Sequence, residues 1–257
     1  MSEPNTPPIR AYIENAHNDA IGGFTIPLPT TKEALRPWLE AIEADGFREE
    51  DIVIREARSS VPGLEETLRG FLSNKVAFDE LNYLAEKISG MKKWAIDLFT
   101  AALDSGRYSD SMQELINMAE NIPRLDLEPA YNEAEYGDHH IQMMKDNTSN
   151  VFERLEQSDV LEEKWLAEYI LLLEAHVDAK AYGRDVLEEE RGVFTNYGYL
   201  TERGMFQEIY RSTEDIPREQ RIFTAPPQPM MAMDADVPAF LAELHAMAGD
   251  YSRDVEH

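Results

Sequence analysis

The chain has 257 residues and carries 24 Lys and Arg against 50 Asp and Glu, which gives a formal net charge of −26. Direct binding to nucleic acid or to anionic lipid is disfavoured by this charge, because both partners are themselves negative. The absence of cysteine excludes disulfides, thiolate nucleophiles and cysteine-ligated metals. An apolar content of 43% is nonetheless typical of a folded protein rather than of a disordered acidic tail.

Targeting and membrane signals are not recognisable in the sequence. The first ten residues, MSEPNTPPIR, contain no basic region followed by an apolar run. The longest uncharged stretches, residues 20–31 and 222–233, are too short to cross a bilayer. We therefore expect a cytoplasmic protein that makes no membrane contact.

The negative charge is distributed unevenly along the chain. Residues 51–100 hold 8 acidic and 7 basic side chains, whereas residues 101–190 hold 22 acidic and 7 basic ones. A solvated acidic surface that keeps the protein soluble is one interpretation of the charge, and it neither requires nor forbids such a difference. If the charge has an electrostatic function, the second stretch is the better candidate for it.

The first part of the chain, residues 9–62, alternates between strand and helix signals. Strands are predicted at residues 10–14, 24–28 and 51–55. A capping box, Thr30-x-x-Glu33, predicts a helix with one apolar face, formed by Ala34, Leu35, Trp38, Leu39 and Ile42. Its other face aligns Glu33, Glu40 and Glu43, with Asp45 shortly after. A small sheet with one helix is the expected assembly.

The second part, residues 63–122, has apolar residues at helical spacing throughout. Three stripes indicate packed helices: Phe78, Leu81, Leu84, Ala85 and Ile88; Trp94, Leu98, Ala101 and Ala102; Met112, Leu115, Ile116 and Ala119. Gly90 and Gly106 are predicted to end two of these helices. Core packing accounts for the whole pattern.

The third part, residues 123–200, mixes both patterns. We predict a strand at 124–128, helices at 132–144 and 151–174, and a hairpin whose arms, 179–187 and 192–199, flank a turn at Glu188, Glu189 and Glu190. The helix near residue 165 is apolar on more than one face, which indicates a core helix or a contact between two subunits. Residues 201–257 contain clustered Pro and Met, typical of a linker or an extended arm, with a short helix predicted at 239–248.

Motifs of catalysis are almost absent. The sequence contains no Gly-rich phosphate loop, dinucleotide fingerprint, nucleophile elbow or HExxH motif, and its acidic residues do not have the spacing of a calcium loop. The exception is Asp138-His139-His140, because a DHH triplet occurs in a family of metal-dependent phosphoesterases. Without the parallel-strand organisation of that family, we predict no enzyme, no cofactor and no metal site, and keep the phosphoesterase as an alternative.

Three groups of residues together resemble the ArdA-type antirestriction proteins of conjugative plasmids and transposons. The opening group is Tyr12-Ile-Glu-Asn15, Gly22-Gly-Phe24 and Pro27-Leu-Pro29. The helix at 110–121 is similar to the one that precedes the family's acidic motif, which then corresponds to residues 126–128 and 131–137. The closing group is formed by residues 181–185, 192–195 and 198–199. Residues 143–163 depart from the family by being longer.

The resemblance implies an elongated α+β protein of three small consecutive domains, which correspond to residues 9–62, 63–122 and 123–200. Residues 201–257, predicted as a C-terminal extension, lie outside the resemblance. It also implies a homodimer that imitates bent DNA and occupies the DNA-binding groove of type I restriction–modification enzymes. The carboxylates expected to meet that groove are Glu33, Glu40, Glu43, Asp45, Asp126, Glu128, Glu133, Glu135, Asp138, Glu188, Glu189 and Glu190. Candidates for the dimer contact are Trp165, Tyr169 and Leu172. The alternative partner is another basic DNA-binding protein, masked by an acidic regulator of a mobile element.

Overall fold

Along the chain of this α+β protein, one small antiparallel sheet precedes a helical block and a second one follows it. The computed structural model describes residues 6–44, 48–72 and 76–223, and residues up to Ile222 belong to one compact unit. The mixed fold class predicted from the sequence is confirmed. The boundaries of the three domains stay a prediction.

The first sheet contains three strands in the order β2-β1-β3: β1 (Ile9–Asn15), β2 (Gly23–Leu28) and β3 (Ile52–Ser59). In β1 the side chains of Ile9, Ala11 and Ile13 are fully buried, while the residues between them are not, as expected for a sheet with one covered face. All three predicted strands are confirmed, and the third extends four residues further than expected.

Helix α1 (Lys32–Ala41) follows the first hairpin. Thr31, not Thr30, caps it, since the Thr31 hydroxyl accepts a hydrogen bond from the Ala34 N–H. Of the predicted apolar face, Leu35, Leu39 and Ile42 are buried, but Ala34 and Trp38 are exposed, so the face is narrower than predicted.

The helical block consists of four helices: α2 (Leu64–Leu72), α3 (Phe78–Ser89), α4 (Lys93–Asp104) and α5 (Met112–Asn121). The predicted stripes are buried except for Trp94, which lies in the first turn of α4 and is 54% exposed. The Glu49 carboxylate caps α3 from a distant segment by accepting a hydrogen bond from the Phe78 N–H at 2.6 Å. Burial raises the pKa of Glu49, and this hydrogen bond opposes the rise.

The third part has three strands and three helices: β4 (Leu125–Glu128), α6 (Glu133–Glu156), α7 (Leu161–Glu174), α8 (Ala179–Glu189), β5 (Val193–Thr195) and β6 (Gly198–Glu202). Its sheet is antiparallel, in the order β4-β6-β5.

Two predictions for the third part were wrong. The first hairpin arm is the helix α8, in which Ala179, Tyr182, Gly183, Val186 and Leu187 are partly or fully buried at helical spacing. Consequently Glu188 and Glu189 end a helix, and the real hairpin turn lies between β5 and β6. The predicted break between residues 144 and 151 does not exist either, because the hydroxyls of Thr148 and Ser149 donate back to helix carbonyls and α6 continues to Glu156.

Helices α6 and α8 cross at two glycines, Gly137 and Gly183. A methyl group on Gly137 would overlap the backbone carbonyl of Ala179, and one on Gly183 would overlap that of Glu133. The backbones therefore approach more closely than any side chain allows. This approach brings Tyr136 into a small core with Tyr199 and Ala130, lined by Val186, Leu187 and Phe194.

Residues 203–222 form a strap that runs back across the helical block. Asn117 binds the strap backbone, accepting hydrogen bonds from the N–H groups of Ile209 and Tyr210 at 2.8 Å and donating one to the Tyr210 carbonyl at 2.7 Å. The ring of Phe206 stacks on Tyr108 with 3.8 Å between centroids. The predicted boundary at residue 200 thus falls inside β6, and the helix predicted at 239–248 lies outside the described residues.

Replacing Gly183 by alanine should lower the free energy of unfolding by about 2–3 kcal/mol, because the added methyl group forces two helix backbones apart. Urea denaturation measures this change. Gly70→Ala is the matched control, since Gly70 also lies in a helix and a methyl group there meets no atom within 4 Å. The control should be unchanged or up to about 1 kcal/mol more stable, and equal effects of the two substitutions would contradict the proposed crossing.

Asn117→Ala removes the partners of three buried or partly buried backbone groups of the strap. We expect a loss of about 2–3 kcal/mol in unfolding free energy and faster proteolytic cleavage within residues 203–215. Asn150→Ala, at an exposed position of α6, is the control and should change neither. Unaltered cleavage in the Asn117 variant would show that the strap is held by its other contacts.

Candidate functional site

The carboxylates predicted in the third part gather where the N-terminal end of α6 meets the C-terminal end of α8. Tyr136 of α6 joins the two ends, because its hydroxyl donates a 2.6 Å hydrogen bond to Glu190. Strand β4 adds Glu128, which lies 3.7 Å from both His139 and His140 of α6. We name this region the acidic surface and define it by Asp126, Glu128, Glu133, Glu135, Asp138, Glu188, Glu189 and Glu190.

Several of these carboxylates are already engaged within the chain. Asp126 forms an ion pair with Arg203 of the strap. Glu135 caps α6 by accepting hydrogen bonds from the Tyr131 N–H at 3.0 Å and the Asn132 side chain at 2.6 Å. Glu133 lies 3.9 Å from the Lys180 amine. These groups contribute negative potential, but part of their hydrogen-bonding capacity is used by the fold.

Other carboxylates of the acidic surface are exposed and unengaged. Within the described residues, Asp138, Glu188 and Glu189 make no hydrogen bond or ion pair through their side chains, and the same holds for Asp185, which the sequence reasoning missed. Asp185 lies three residues before Glu188, so a search for acidic residues at the helical spacing i, i+3 would have identified it. No Lys or Arg occurs between residues 125 and 140 or between 185 and 190.

The position of Glu188 and Glu189 is electrostatically unfavourable for the fold. Both occupy the last turn of α8, which contains no basic residue, and the negative end of a helix dipole repels carboxylates. Each such placement costs about 0.3–1 kcal/mol. At these positions the two charges therefore do not stabilise the helix.

Two tyrosines, Tyr136 and Tyr199, are buried beneath the acidic surface. Burial raises the pKa of Tyr136, and the hydrogen bond to Glu190 raises it further. Burial also raises the pKa of Tyr199, whose ring lies 4.5 Å from that of Tyr136. Both hydroxyls therefore stay neutral, and Tyr136 acts as a donor that fixes the direction of Glu190.

The carboxylates predicted on the first helix form a separate group. Glu33 and Glu40 are exposed on α1, and hydrogen bonds from the Glu33 backbone N–H and from Thr31 lower the pKa of Glu33. Glu43 lies beyond the end of α1 in a left-handed conformation with φ of 54°, so its predicted place on the helix face was wrong. Asp45 lies outside the described residues. No hydrogen bond or ion pair of the described chain joins this group to the acidic surface.

The DHH triplet does not build a metal centre in the described ranges. There, no group of three or more His, Asp or Glu side chains has a geometry that could hold a metal ion. Instead, the His140 ring packs on Tyr136 at 4.4 Å, and the two imidazoles flank Glu128. The phosphoesterase alternative receives no support from this arrangement.

Helix α7 exposes the largest group of apolar side chains among the described residues. The three dimer candidates Trp165, Tyr169 and Leu172 are 59%, 57% and 57% exposed. Ala167, on the opposite side of the helix, is buried, and Glu174 at the helix end pairs with Lys145 of α6 at 3.2 Å. None of the helices in residues 6–44, 48–72 and 76–223 has the length and apolar character needed to cross a membrane.

Comparison with protein families gives a match between residues 17–201 and the family described as antirestriction protein (ArdA). The chain belongs to the ArdA family. A comparison with curated proteins gives no match. ArdA proteins are antirestriction proteins directed at type I restriction–modification enzymes in general, and the family is not known as an enzyme family.

The matched range contains every described carboxylate of both groups, but it ends before the strap. Several residues that carry the resemblance have packing roles in the ArdA fold. Gly183 lies at the helix crossing and Tyr199 lies in the small core. Gly198 has a φ of 137°, and a methyl group there would overlap the Glu128 carbonyl. The residues that carry the resemblance therefore include packing residues beneath the acidic surface as well as acidic residues.

Proposed function

We propose that this ArdA protein inhibits type I restriction–modification enzymes by mimicking DNA, with the acidic surface occupying the basic groove that binds DNA. One observation carries the proposal: exposed carboxylates without cationic partners lie at the junction of α6 and α8, two of them at a helix end that disfavours them. Charge that costs stability and is not neutralised internally is available to a partner of opposite sign.

The physical basis of inhibition is competition for Lys and Arg side chains. DNA-binding grooves neutralise phosphates with these cations, and counterion release supplies much of the binding free energy. Carboxylates fixed on helices meet the same cations, and little conformational entropy is lost because the helices are already folded. Since no base edges are imitated, the inhibitor does not depend on the recognition sequence of the enzyme.

The exposed members of the acidic surface, Asp138, Glu188 and Glu189, are proposed to make the main contacts. Asp126, Glu128, Glu133, Glu135 and Glu190 shape the potential from partly engaged positions. Glu33, Glu40, Glu43 and Asp45 are proposed as a second contact group. The protein is proposed to act in the cytoplasm.

A homodimer formed through α7 is part of the same proposal. Its support is the exposure of Trp165, Tyr169 and Leu172, because large apolar surfaces in water are typical of contacts between chains. Aromatic side chains of this kind contribute strongly to binding when a partner buries them.

Competition with DNA tests the mechanism directly. A purified type I restriction–modification enzyme is incubated with labelled DNA and increasing amounts of the protein, at salt concentrations from 50 to 200 mM. The protein should displace the DNA, and its apparent affinity should fall at least about tenfold over this range, because salt screens charge–charge contacts. Inhibition of cleavage without displacement of DNA would reject mimicry. An absence of any effect on the enzyme, together with binding to an unrelated basic DNA-binding protein, would favour the regulator alternative.

Neutralising three exposed carboxylates should separate function from stability. The variant Asp138→Asn, Glu188→Gln, Glu189→Gln should need at least about ten times more protein for half-maximal inhibition. Its unfolding free energy should stay unchanged or rise by up to about 1 kcal/mol, because the helix end loses unfavourable charge. Inhibition assays and urea denaturation on the same preparation measure both effects.

The matched control has the same net charge with the changes placed elsewhere. Glu66→Gln, Glu86→Gln, Glu219→Gln neutralises three exposed carboxylates outside the acidic surface. This control should inhibit about as well as the unmodified protein. Equal loss in both variants would mean that net charge, rather than the acidic surface, determines binding.

A further inference from the structure

Glu128 and two adjacent histidines of α6 form a cluster at the acidic surface. The Glu128 Oε2 atom lies 3.7 Å from the Nε2 atom of His139 and 3.7 Å from the Nε2 atom of His140. Among the described residues, this oxygen and the Nε2 atom of His140 are buried and have no hydrogen-bond partner. We name Glu128, His139 and His140 the histidine–glutamate site.

The two buried atoms are chemically complementary, but they are too far apart for a hydrogen bond. A carboxylate oxygen only accepts hydrogen bonds, whereas a neutral imidazole nitrogen donates or accepts according to the tautomer. A hydrogen bond between them needs a separation of about 2.7–3.2 Å, and the 3.7 Å between Glu128 and His140 exceeds this. Because a buried polar atom without a partner is unfavourable, neutral imidazoles leave the site incomplete.

Protonation of the imidazoles supplies what the site lacks. An imidazolium donates from both ring nitrogens and carries a positive charge, and its hydrogen bonds to a carboxylate are about twice as strong as neutral ones. Histidine is also the side chain that ordinarily changes its charge between about pH 5 and 8. A small closure of the 3.7 Å gaps then lets Glu128 accept hydrogen bonds from His139 and His140.

The groups around the site leave this role to the two histidines. Among the described residues, no other basic side chain lies within ion-pairing distance of the Glu128 carboxylate. Arg203 is paired with Asp126, and Arg107 lies 3.9 Å from Glu202. The remaining titratable groups on the neighbouring elements are acidic or phenolic: Glu135, Tyr136 and Asp138 on α6, Glu190 after α8, Tyr199 on β6 and Asp126 on β4.

We propose that the histidine–glutamate site is a pH sensor that lowers the negative charge of the acidic surface as the pH falls. The proposal rests on the function proposed above and specifies how it is regulated. Each bound proton adds one positive charge to the single negative charge of Glu128, so two protons change the formal charge of the site from −1 to +1. A basic groove is then attracted less strongly, and the protein releases it more readily in acid.

Proton binding and groove binding oppose each other by the same factor, because the coupling between two ligands of one protein is reciprocal. A basic groove seated on the acidic surface therefore disfavours the protonated imidazoles. The sensor acts through charge alone and needs no rearrangement of α6 or α8. Its histidines are separate from the exposed carboxylates Asp138, Glu188 and Glu189, which are proposed to make the main contacts.

Nitrogen-15 spectra of the imidazole rings test the site in the free, unmodified protein. These spectra distinguish neutral from doubly protonated rings, and the variants His139→Gln and His140→Gln assign the signals. At about pH 5.5 we expect both rings to be doubly protonated, and the His140 Nε2 proton to be protected from exchange with solvent. In the neutral variant Glu128→Gln this protection should be lost. A His140 ring that stays neutral at this pH would overturn the proposal.

Displacement of DNA from a type I restriction–modification enzyme tests the consequence. At about pH 7.5 the double variant His139→Gln, His140→Gln should displace DNA as well as the unmodified protein, because neutral imidazoles carry no charge. At about pH 5.5 the unmodified protein should be needed at about five times the concentration of the variant. This factor corresponds to two charges acting on a cation about 8 Å away in water. Comparison at equal pH cancels the enzyme's own pH response.

His17→Gln is the matched control, because His17 also lies near a carboxylate, 3.4 Å from Asp51, but in the first part of the chain. It should behave like the unmodified protein at both pH values, and circular dichroism checks the fold of every variant. Equal displacement by the double variant and the unmodified protein at both pH values would reject the regulatory role. No displacement at either pH would reject the proposed function and this regulation with it, whereas the nitrogen-15 spectra decide separately whether the site binds protons.

Discussion

The close crossing of α6 and α8 is the constraint on which the third part of the molecule depends. Two glycines permit the backbones to touch, and a single methyl group at Gly183 would overlap the Glu133 carbonyl. The approach brings the N-terminal end of one helix beside the C-terminal end of the other, joined by the Tyr136–Glu190 hydrogen bond. Tyr136, near the start of α6, therefore contacts Glu190, which lies 54 positions later in the chain. Without the crossing, the same carboxylates would be dispersed charges on separate helices.

Local interactions offset part of the repulsion between the carboxylates of the acidic surface. At the start of α6, Glu133 and Glu135 are favourable because they face the positive end of the helix dipole. At the end of α8, Glu188 and Glu189 have no such benefit. Beneath this region lies a small core with the buried Tyr136 and Tyr199, and Arg203 of the strap forms an ion pair with Asp126. The scaffold thus stabilises an arrangement that electrostatics within the monomer opposes, which is typical of a surface built for a partner of opposite charge.

Sequence reasoning predicted this architecture well where one periodicity dominated. The strands of the first sheet and the buried stripes of α3 and α5 follow from alternation and helical spacing alone. It failed for α8, because Gly183 disfavours a helix interior and Tyr182 and Val186 favour a strand when considered singly. The decisive feature is the contact with a distant helix. It also placed acidic residues together only by family resemblance. Whether a carboxylate is engaged, as Asp126 is by Arg203, depends on a partner 77 residues away that no local pattern reveals.

The formal charge of −26 therefore overstates what a partner meets at any one place. Within the fold, an ion pair or a hydrogen bond already engages Asp126, Glu135 and Glu190. The exposed side chains of Asp138, Glu188 and Glu189 remain available to a partner. For the proposed mimicry of DNA, the placement of the available carboxylates therefore matters more than the total charge. Helix geometry supplies that placement, on a scaffold that includes the glycine crossing and the strap. The relevant quantity is thus the number of carboxylates that make no contact within the fold, which folding determines and composition does not.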